Sequence, residues 1–230
     1  MKKLAILFFT LPLFITMSCN ENNRKNTPQQ EAVEAAPSAD SSSVLSREEI
    51  RARPFQELFS PIEAKDIPGD VFTHVGTDYT VITAGNPAHY NSMVASWGGW
   101  GILFNRPSTW CFLRSSRYTL ELIRKEQAYT MTYFDDAYKE DILLFGTKSG
   151  RDTDKMKESK LTSVQTPAGN MAYKEARLIL ECKLVEVTTV SPGDFYTEEG
   201  RQFITDAHAE TNDYHKIVFG EITSVWLRNE

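Results

Sequence analysis

Residues that bind metals or form disulfides are scarce in this sequence, which narrows the chemistry it can carry. Among its 230 residues there are three cysteines and four histidines. No two histidines have the spacing of metal ligands, so we predict no metal centre. Cys111 and Cys182 lie in apolar, strand-like runs, which favours small buried side chains over a redox pair; a disulfide between them stays open.

Positive charge is also in deficit. The chain has 25 Lys and Arg against 31 Asp and Glu, a formal net charge of −6. No stripe of Lys or Arg stands out against this balance, so nothing favours a nucleic acid as partner. The sequence also lacks internal repeats and the glycine–lysine spacing of a Walker A loop.

A long apolar run is absent, but a short one lies near the first residue. Lys2 and Lys3 precede an apolar stretch over residues 4–17, which is shorter than the roughly 20 residues of a membrane-spanning helix. This is the shape of a signal peptide. The following Cys19 completes a motif similar to a bacterial lipobox, although Thr16 stands where Leu is usual. We expect a lipoprotein signal peptide over residues 1–19, with Cys19 lipidated; an ordinary signal peptide with an incidental Cys19 is the alternative.

The composition changes directly after Cys19. Residues 20–45 are rich in Asn, Gln, Glu, Ala, Pro and Ser and contain no aromatic side chain. Such a segment buries too little apolar surface to order itself, so we predict a flexible polar linker. The folded domain is then expected over residues 46–230. The protein is expected to be exported and anchored to a membrane through its lipid alone, facing the periplasm or the cell surface.

The folded part alternates strand-like and helix-like pieces. Ser46 and Glu49 have the spacing of a capping box, which predicts a short helix. Thr119 is expected to cap another helix that ends near Lys125. Further short helices are predicted over residues 136–145 and 152–159. Strands are predicted over residues 79–84, 93–97, 109–113, 128–134 and 217–227, and in a long run from Leu178 whose apolar parity flips at Val185, as at a β-bulge. The fold class is therefore mainly β, a β-barrel with helical insertions.

Three segments are unlike ordinary scaffold. Residues 91–101 carry small polar residues, glycines and two tryptophans, which suit close approach to a flat aromatic ligand. Residues 114–119 place two arginines and three Ser or Thr hydroxyls at a helix start, which suits a phosphate. Residues 146–155 form a polar, glycine-rich, basic loop. Each has an ordinary explanation as well: a glycine loop beside core tryptophans, a capped helix with solvated arginines, and a solvated loop.

Together these segments resemble the flavin reductase-like family within the FMN-binding split barrels. The resemblance rests on four stretches in the family's order, NSMVASWGGWG (91–101), RSSRYTLELI (114–123), SGRDTDK (149–155) and YHKIVFGEI (214–222). It implies a small barrel that dimerises and holds FMN near the subunit interface. It also implies that His215 lies near the flavin ring, as a candidate for contact with substrate or nicotinamide.

The resemblance further implies which residues bind the cofactor. The ring side is assigned to residues 93–98, the ribityl and phosphate side to residues within 114–119, and a closing loop to Ser149 and Arg151. The complete set of expected FMN-binding residues is Asn91, Ser92, Met93, Val94, Ala95, Ser96, Trp97, Gly98, Arg114, Ser116, Arg117, Tyr118, Thr119, Ser149 and Arg151.

The expected function is an FMN-dependent oxidoreductase of the flavin reductase type. Electrons would pass from NAD(P)H or another reduced donor to flavin or a small acceptor. The expected export argues against NAD(P)H as the donor, because nicotinamide cofactors are scarce outside the cytoplasm. The alternatives are a non-enzymatic FMN-binding or electron-carrier lipoprotein of the cell envelope, and a degenerate barrel that has lost its cofactor.

Overall fold

The computed structural model describes residues 45–229. The expected signal peptide, Cys19 and residues 20–44 of the expected linker lie outside this range. Within it there are ten strands: β1 Phe59–Ile62, β2 Thr80–Asn86, β3 His89–Ala95, β4 Gly98–Leu103, β5 Arg106–Arg114, β6 Ala128–Tyr133, β7 Ser163–Gln165, β8 Met171–Tyr173, β9 Leu178–Thr189 and β10 His215–Arg228.

Seven α-helices accompany these strands in the same range. They are α1 Arg47–Ala52, α2 Phe55–Leu58, α3 Val71–Gly76, α4 Tyr118–Glu126, α5 Lys139–Thr147, α6 Lys155–Glu158 and α7 Glu198–Asp206. Three 3-10 turns are found at Ala64–Asp66, Asp136–Tyr138 and Pro192–Asp194. None of these described helices is long and apolar enough to span a membrane.

Eight strands form one antiparallel sheet, and β7 and β8 form a separate hairpin. The main sheet runs β3-β2-β6-β9-β10-β5-β4, with β1 also paired to β10. The sheet path begins at β3 and ends at β4, which are consecutive in the chain. Trp97 lies in the turn between these two strands, and its carbonyl accepts a hydrogen bond from the Phe112 N–H of β5 at 3.3 Å. The prediction of a mainly β architecture with helical insertions is confirmed.

Strand β10 is central in the sheet and contains the predicted strand over residues 217–227. Its first half pairs with β5 from His215↔Arg114 to Glu221↔Ser108, and its last four paired residues pair with β1. Strand β9 runs along its other edge. The register between β9 and β10 shifts where Phe219 pairs with Glu186 and Gly220 with Leu184, which leaves Val185 extra. The predicted bulge is therefore confirmed.

Two apolar cores lie on opposite faces of the sheet. Tyr129, Met131 and Tyr133 of β6 belong to one core, as their period-2 spacing predicted. The intervening Thr130 and Thr132 face the other way and donate their hydroxyls to the Met171 and Val81 carbonyls. The second core packs α1, α2, α5 and β8 against that face. Each face of β6 is therefore covered, so even its threonines are buried.

The cysteines are confirmed as buried side chains. Cys111 and Cys182 are both free thiols inside the first core. Burial raises the pKa of the Cys182 thiol to about 12, and a protonated, inaccessible thiol is chemically inert.

Helix boundaries differ from the sequence-based prediction at one functional position. The predicted capping box of α1 is present, with Ser46 and Glu49 in reciprocal hydrogen bonds. Helix α4, however, has Arg117 at its N-cap, without a side-chain cap. The prediction that Thr119 caps this helix is wrong, because its hydroxyl is buried and accepts a hydrogen bond from the side chain of Asn91 at 2.7 Å.

Gly220 is required where β10 crosses over Tyr129. A Cβ at Gly220 would lie 2.4 Å from the Tyr129 hydroxyl, which is itself buried and bonded to Thr109 at 2.8 Å. We expect Gly220→Ala to lower the free energy of unfolding by about 1–3 kcal/mol, the usual effect of overpacking. Chemical denaturation of both proteins measures this loss.

Gly76→Ala is the control for that measurement. A Cβ added at Gly76 would meet no atom within 4 Å, and alanine is favoured over glycine in a helix. This substitution should be neutral or stabilising by up to about 1 kcal/mol. Equal stability losses in the two variants would contradict the steric account of Gly220.

Candidate functional site

Two adjoining pockets form a cleft at the ends of β3, β5 and β10. The first, here called the polar pocket, has a volume of about 320 Å³. It is lined by Asn91, Met93, Ser116, Arg117, Tyr118, Thr119, Lys148, Ser149, Gly150, Arg151 and Lys155. The second, called the aromatic pocket, has a volume of about 250 Å³ and is lined by Met93, Val94, Ala95, Ser96, Trp97, Phe112, Arg114, Arg117 and His215. Met93 and Arg117 line both, so the pockets are neighbours in one cleft.

Strand β3 and the loop after α5 meet at the floor of the polar pocket. The buried Asn91 amide donates to the Thr119 hydroxyl at 2.7 Å and so ties β3 to the first turn of α4. A Cβ on Gly150 would lie 2.0 Å from the Asn91 Oδ1 atom. The loop can approach β3 this closely only because residue 150 is glycine.

Lys155 supplies a buried positive charge to the same pocket. Its side chain is only 2% exposed, and its Nζ donates to the Phe145 and Lys148 carbonyls at 2.9 Å each. It forms no ion pair with any residue in the described range. Burial, followed by the nearby Arg117 charge, lowers its pKa to about 8. At neutral pH the polar pocket therefore contains an ammonium that no carboxylate of this range neutralises, a favourable environment for a ligand anion.

Arg151 closes one side of the polar pocket. Its guanidinium forms an ion pair with Glu121 of α4 and lies over the Tyr118 ring, 5.0 Å from the ring centroid. The Tyr118 hydroxyl is hydrogen-bonded to His89. The loop after α5 is thus attached to both α4 and the start of β3.

Ser116 lies at the start of α4 but its donors are already engaged. Its backbone N–H donates to the Asp213 carboxylate at 3.3 Å, and its hydroxyl also donates to Asp213. Burial raises the pKa of Asp213, but hydrogen bonds from Ser116 and Ser115 outweigh this and leave it below its usual value. A carboxylate therefore holds the turn before α4, and Ser116 is less available to a second anion than Lys155 is.

The aromatic pocket has Trp97 and His215 as neighbouring walls. Trp97 is 38% exposed, and its ring centroid lies 4.9 Å from that of His215. Arg114 pairs with His215 in the sheet register, and its guanidinium donates to the Ala207 carbonyl at 2.9 Å. Burial, followed by the charges of His208 and Arg114, lowers the pKa of His215 to about 4. The imidazole is therefore neutral at physiological pH.

The cleft thus joins a cationic, donor-rich end to a flat aromatic end. This arrangement suits an elongated ligand that carries a planar ring at one end and an anionic group at the other. Within residues 45–229 there is no cluster of three or more His, Cys, Asp or Glu side chains that could hold a metal ion.

Comparison with known proteins decides the family. The model of the flavin reductase like domain matches residues 72–230, more than half of the chain. The chain belongs to the flavin reductase-like family. No curated protein sequence matches it significantly.

Solved structures support the fold of this flavin reductase-like domain. The FMN-binding protein from Thermus thermophilus is 20% identical, with a TM-score of 0.52 over 73% of this chain and 79% of that one. An FMN-binding domain of a flavin reductases-like enzyme from Shewanella baltica OS155 is 14% identical, with a TM-score of 0.52 over 74% of this chain and 76% of that one. The predicted split-barrel fold is confirmed.

The flavin reductase-like domain brings most of the residues predicted from sequence into the cleft. Two of them lie outside both pockets. Ser92 is buried and shares hydrogen bonds with the Thr83 and Tyr173 hydroxyls, while Gly98, with a φ of +151°, packs against the Trp110 carbonyl. Which residues contact a cofactor stays a prediction.

Two residues of the cleft region were missed from the sequence. Lys155 ends the SGRDTDK stretch that carried the family resemblance, so the signal was present, but only Ser149 and Arg151 were assigned from it. His208 was passed over as a scattered histidine. It is buried, and its Nε2 atom lies 2.6 Å from the Nδ1 atom of His215. No local sequence motif predicts this contact.

The depressed pKa of Lys155 predicts a pH dependence of stability. In the folded state Lys155 loses its proton near pH 8, whereas in the unfolded chain it holds the proton to about pH 10.5. The unfolded state therefore binds more protons in this window, and stability attributable to Lys155 rises as the pH rises from about 8 towards 10.5. Denaturation at pH 7.5 and 9.5 should show this increment in the wild type and not in Lys155→Met. The same increment in both proteins would contradict a lowered Lys155 pKa.

Proposed function

We propose that this domain binds FMN in the cleft, with the phosphate in the polar pocket and the isoalloxazine ring in the aromatic pocket. The observation that carries the proposal is the buried ammonium of Lys155, which has no acidic partner within residues 45–229. It lies at one end of the cleft, and the aromatic pocket with its Trp97 wall lies at the other end. Family membership and the FMN-binding relatives of the same fold support it.

The residues present fit the phosphate end of FMN. Lys155 would meet the phosphate with its charge, and Arg117, Ser149 and Thr119 line the same pocket. The phosphate would also neutralise a buried cation that otherwise contacts carbonyl oxygens. Asp213, which engages the Ser116 donors, would repel the phosphate from that turn and favour the Lys155 side of the pocket.

The residues present also fit the ring end. Residues 93–97 form one wall of the aromatic pocket, and His215 and Phe112 form other walls. The small side chains Ala95 and Ser96 leave room for a flat ring beside the Trp97 indole. A neutral His215 avoids burying a charge against that ring.

We propose further that the protein is an oxidoreductase of the flavin reductase type. Bound FMN would supply the capacity to accept two electrons and a proton from a reduced donor and pass them to flavin or another small acceptor. The donor would be NAD(P)H or another reductant. His215, which lines the aromatic pocket, is the proposed contact for the donor or the substrate.

A homodimer and a lipid anchor belong to the same proposal. Phe72, Ile102 and Phe104 are 84%, 72% and 75% exposed, and large apolar side chains left in solvent favour a protein–protein contact. A second copy of this chain is the proposed partner.

The anchor rests on the sequence around Cys19 and would place the domain outside the inner membrane, which favours a donor other than a soluble nicotinamide.

Lysine substitutions test the FMN proposal. Lys155→Met should weaken FMN binding about 10- to 100-fold, the effect of losing a hydrogen-bonded charge. Riboflavin, which has no phosphate, should bind both proteins alike. Quenching of flavin fluorescence measures both affinities. FMN affinity of the wild type should also fall as the pH rises above about 8, because Lys155 then loses its charge.

Lys157→Met is the matched control. Lys157 lies on the same short helix but is exposed and paired with Asp154, so its loss should change FMN affinity by less than about twofold. An equal loss of riboflavin and FMN affinity in Lys155→Met would argue against a phosphate at Lys155. The absence of flavin quenching by the wild type would overturn the proposal and support a barrel without cofactor.

Turnover separates the enzyme from the electron carrier. We expect oxidation of a reduced donor, either NAD(P)H or another reductant, with added FMN, at a rate that saturates as the cleft fills. Lys155→Met should raise the FMN concentration for half-maximal rate by the same factor as its dissociation constant, with the maximal rate little changed. Tight FMN binding without oxidation of any tested donor would contradict the reductase and favour the carrier.

A further inference from the structure

The buried His208 and the half-buried His215 form a relay that ends in the aromatic pocket. The Nδ1 atom of His208 lies 2.6 Å from the Ile204 carbonyl oxygen, and its Nε2 atom lies 2.6 Å from Nδ1 of His215. His208 is only 1% exposed. Tyr214 stacks on its ring, with centroids 4.8 Å apart. The His208 ring is therefore held in one orientation by its surroundings.

The hydrogen-bond partners determine where the protons lie. A carbonyl oxygen only accepts, so Nδ1 of His208 carries its proton and donates to Ile204. The backbone N–H of His215 also points at Nε2 of His208, at 3.3 Å, which favours an unprotonated Nε2 because a proton there would face the amide hydrogen. His208 is thus the neutral Nδ1–H tautomer, and its Nε2 atom is an acceptor.

The tautomer of His215 follows from that of His208. Because Nε2 of His208 accepts, the Nδ1 atom of His215 at 2.6 Å must donate. In a neutral imidazole the other nitrogen then has a free lone pair. The Nε2 atom of His215 makes no hydrogen bond to residues 45–229, and His215 lines the aromatic pocket beside Trp97.

The surrounding charges keep His215 neutral. Three groups that face it disfavour a positive charge on His215: His208 from the turn after α7 whenever it is itself protonated, Arg114 at the end of β5, and Arg117 at the start of α4. Asp213 acts in the opposite direction, but it is engaged with Ser116. Together with burial, this balance leaves the imidazole as a hydrogen-bond acceptor rather than a cation.

We propose that His208 is a positioning residue that fixes His215 as the Nδ1–H tautomer and so presents its Nε2 lone pair to the donor or substrate that enters the aromatic pocket. The site is then selective for a donor or substrate that gives an N–H or O–H hydrogen bond to this nitrogen. The ligand preference rests on the proposed function, whereas the tautomer is a property of the ligand-free chain.

Both members of the relay are held in place by a further hydrogen bond nearby. Arg114 donates to the carbonyl of Ala207, the residue before His208, at 2.9 Å. The His215 carbonyl in turn accepts from Val190 N–H at 2.9 Å. The relay is therefore part of the sheet edge that forms the aromatic pocket, and it is in place before a ligand arrives.

Nitrogen-15 NMR of the histidine rings in the ligand-free protein tests the proposal. In the wild type, His215 should show a protonated Nδ1 and an unprotonated Nε2, with a pKa near 4. In His208→Phe, which keeps a ring but removes the acceptor, His215 should lose this fixed tautomer. In His208→Gln the amide oxygen can accept from Nδ1, and the tautomer should be retained.

Tyr214→Phe is the matched control, because it keeps the ring stacked on His208 and changes no member of the relay. It should leave the His215 signals unchanged. The His74 and His89 signals in the same spectra report whether each variant keeps its fold. If His208→Phe fails to fold, the comparison of His208→Gln and Tyr214→Phe with the wild type still reads the tautomer.

Two results would overturn the proposal. One is a wild-type His215 protonated on Nε2, and the other is an unchanged His215 tautomer in His208→Phe, which would give His208 a purely structural role. A ligand readout extends the test: His208→Phe should raise KM for the reduced donor about tenfold or more, with FMN affinity within about twofold of the wild type. If FMN fails to bind while the tautomer is as expected, the positioning role stands and the proposed function fails.

Discussion

The pairing of strand β10 on both edges is the constraint on which the rest of the molecule depends. β5 and then β1 run along one edge and β9 along the other, so this strand joins the parts of the sheet. Its first residue is His215, which is why the aromatic pocket opens where the strand begins. Gly220 lets the strand pass over the buried Tyr129 hydroxyl. A substitution that disturbs the packing in the middle of β10 would therefore also disturb the cleft at its end.

The electrostatics of the cleft divide its two ends. Lys155 is buried against carbonyl oxygens, and no carboxylate within residues 45–229 pairs with it, which costs folding free energy and favours an anion. His215 is half-buried beside positive groups and stays neutral, so it offers a polar atom without a charge at its end of the cleft. Asp213 accepts the hydrogen bonds of the turn between them. The cleft therefore has one end with a buried ammonium and one aromatic end with a neutral imidazole, which gives an elongated ligand a preferred direction.

Local patterns predicted the elements well, because their physical causes are local. The period-2 alternation of Tyr129, Met131 and Tyr133 identified β6 and its buried face. The parity flip at Val185 located the bulge, and the Ser46 capping box located α1. Thr119 misled the prediction because a hydroxyl near a helix start is a typical cap. In the folded protein the Asn91 amide, 28 residues away in sequence, competes for it instead.

The strand pattern, the family and the segments that line the cleft could all be read from the amino-acid sequence, because alternation, glycine spacing and motif order are properties of neighbouring residues. Three features of the cleft needed the folded chain: the burial of Lys155 against carbonyl oxygens, the engagement of the Ser116 donors by Asp213, and the hydrogen bond between His208 and His215. Each depends on what the rest of the chain brings alongside a side chain and on how much water it excludes. Burial and non-local partners set charge and tautomer, and no local pattern encodes them.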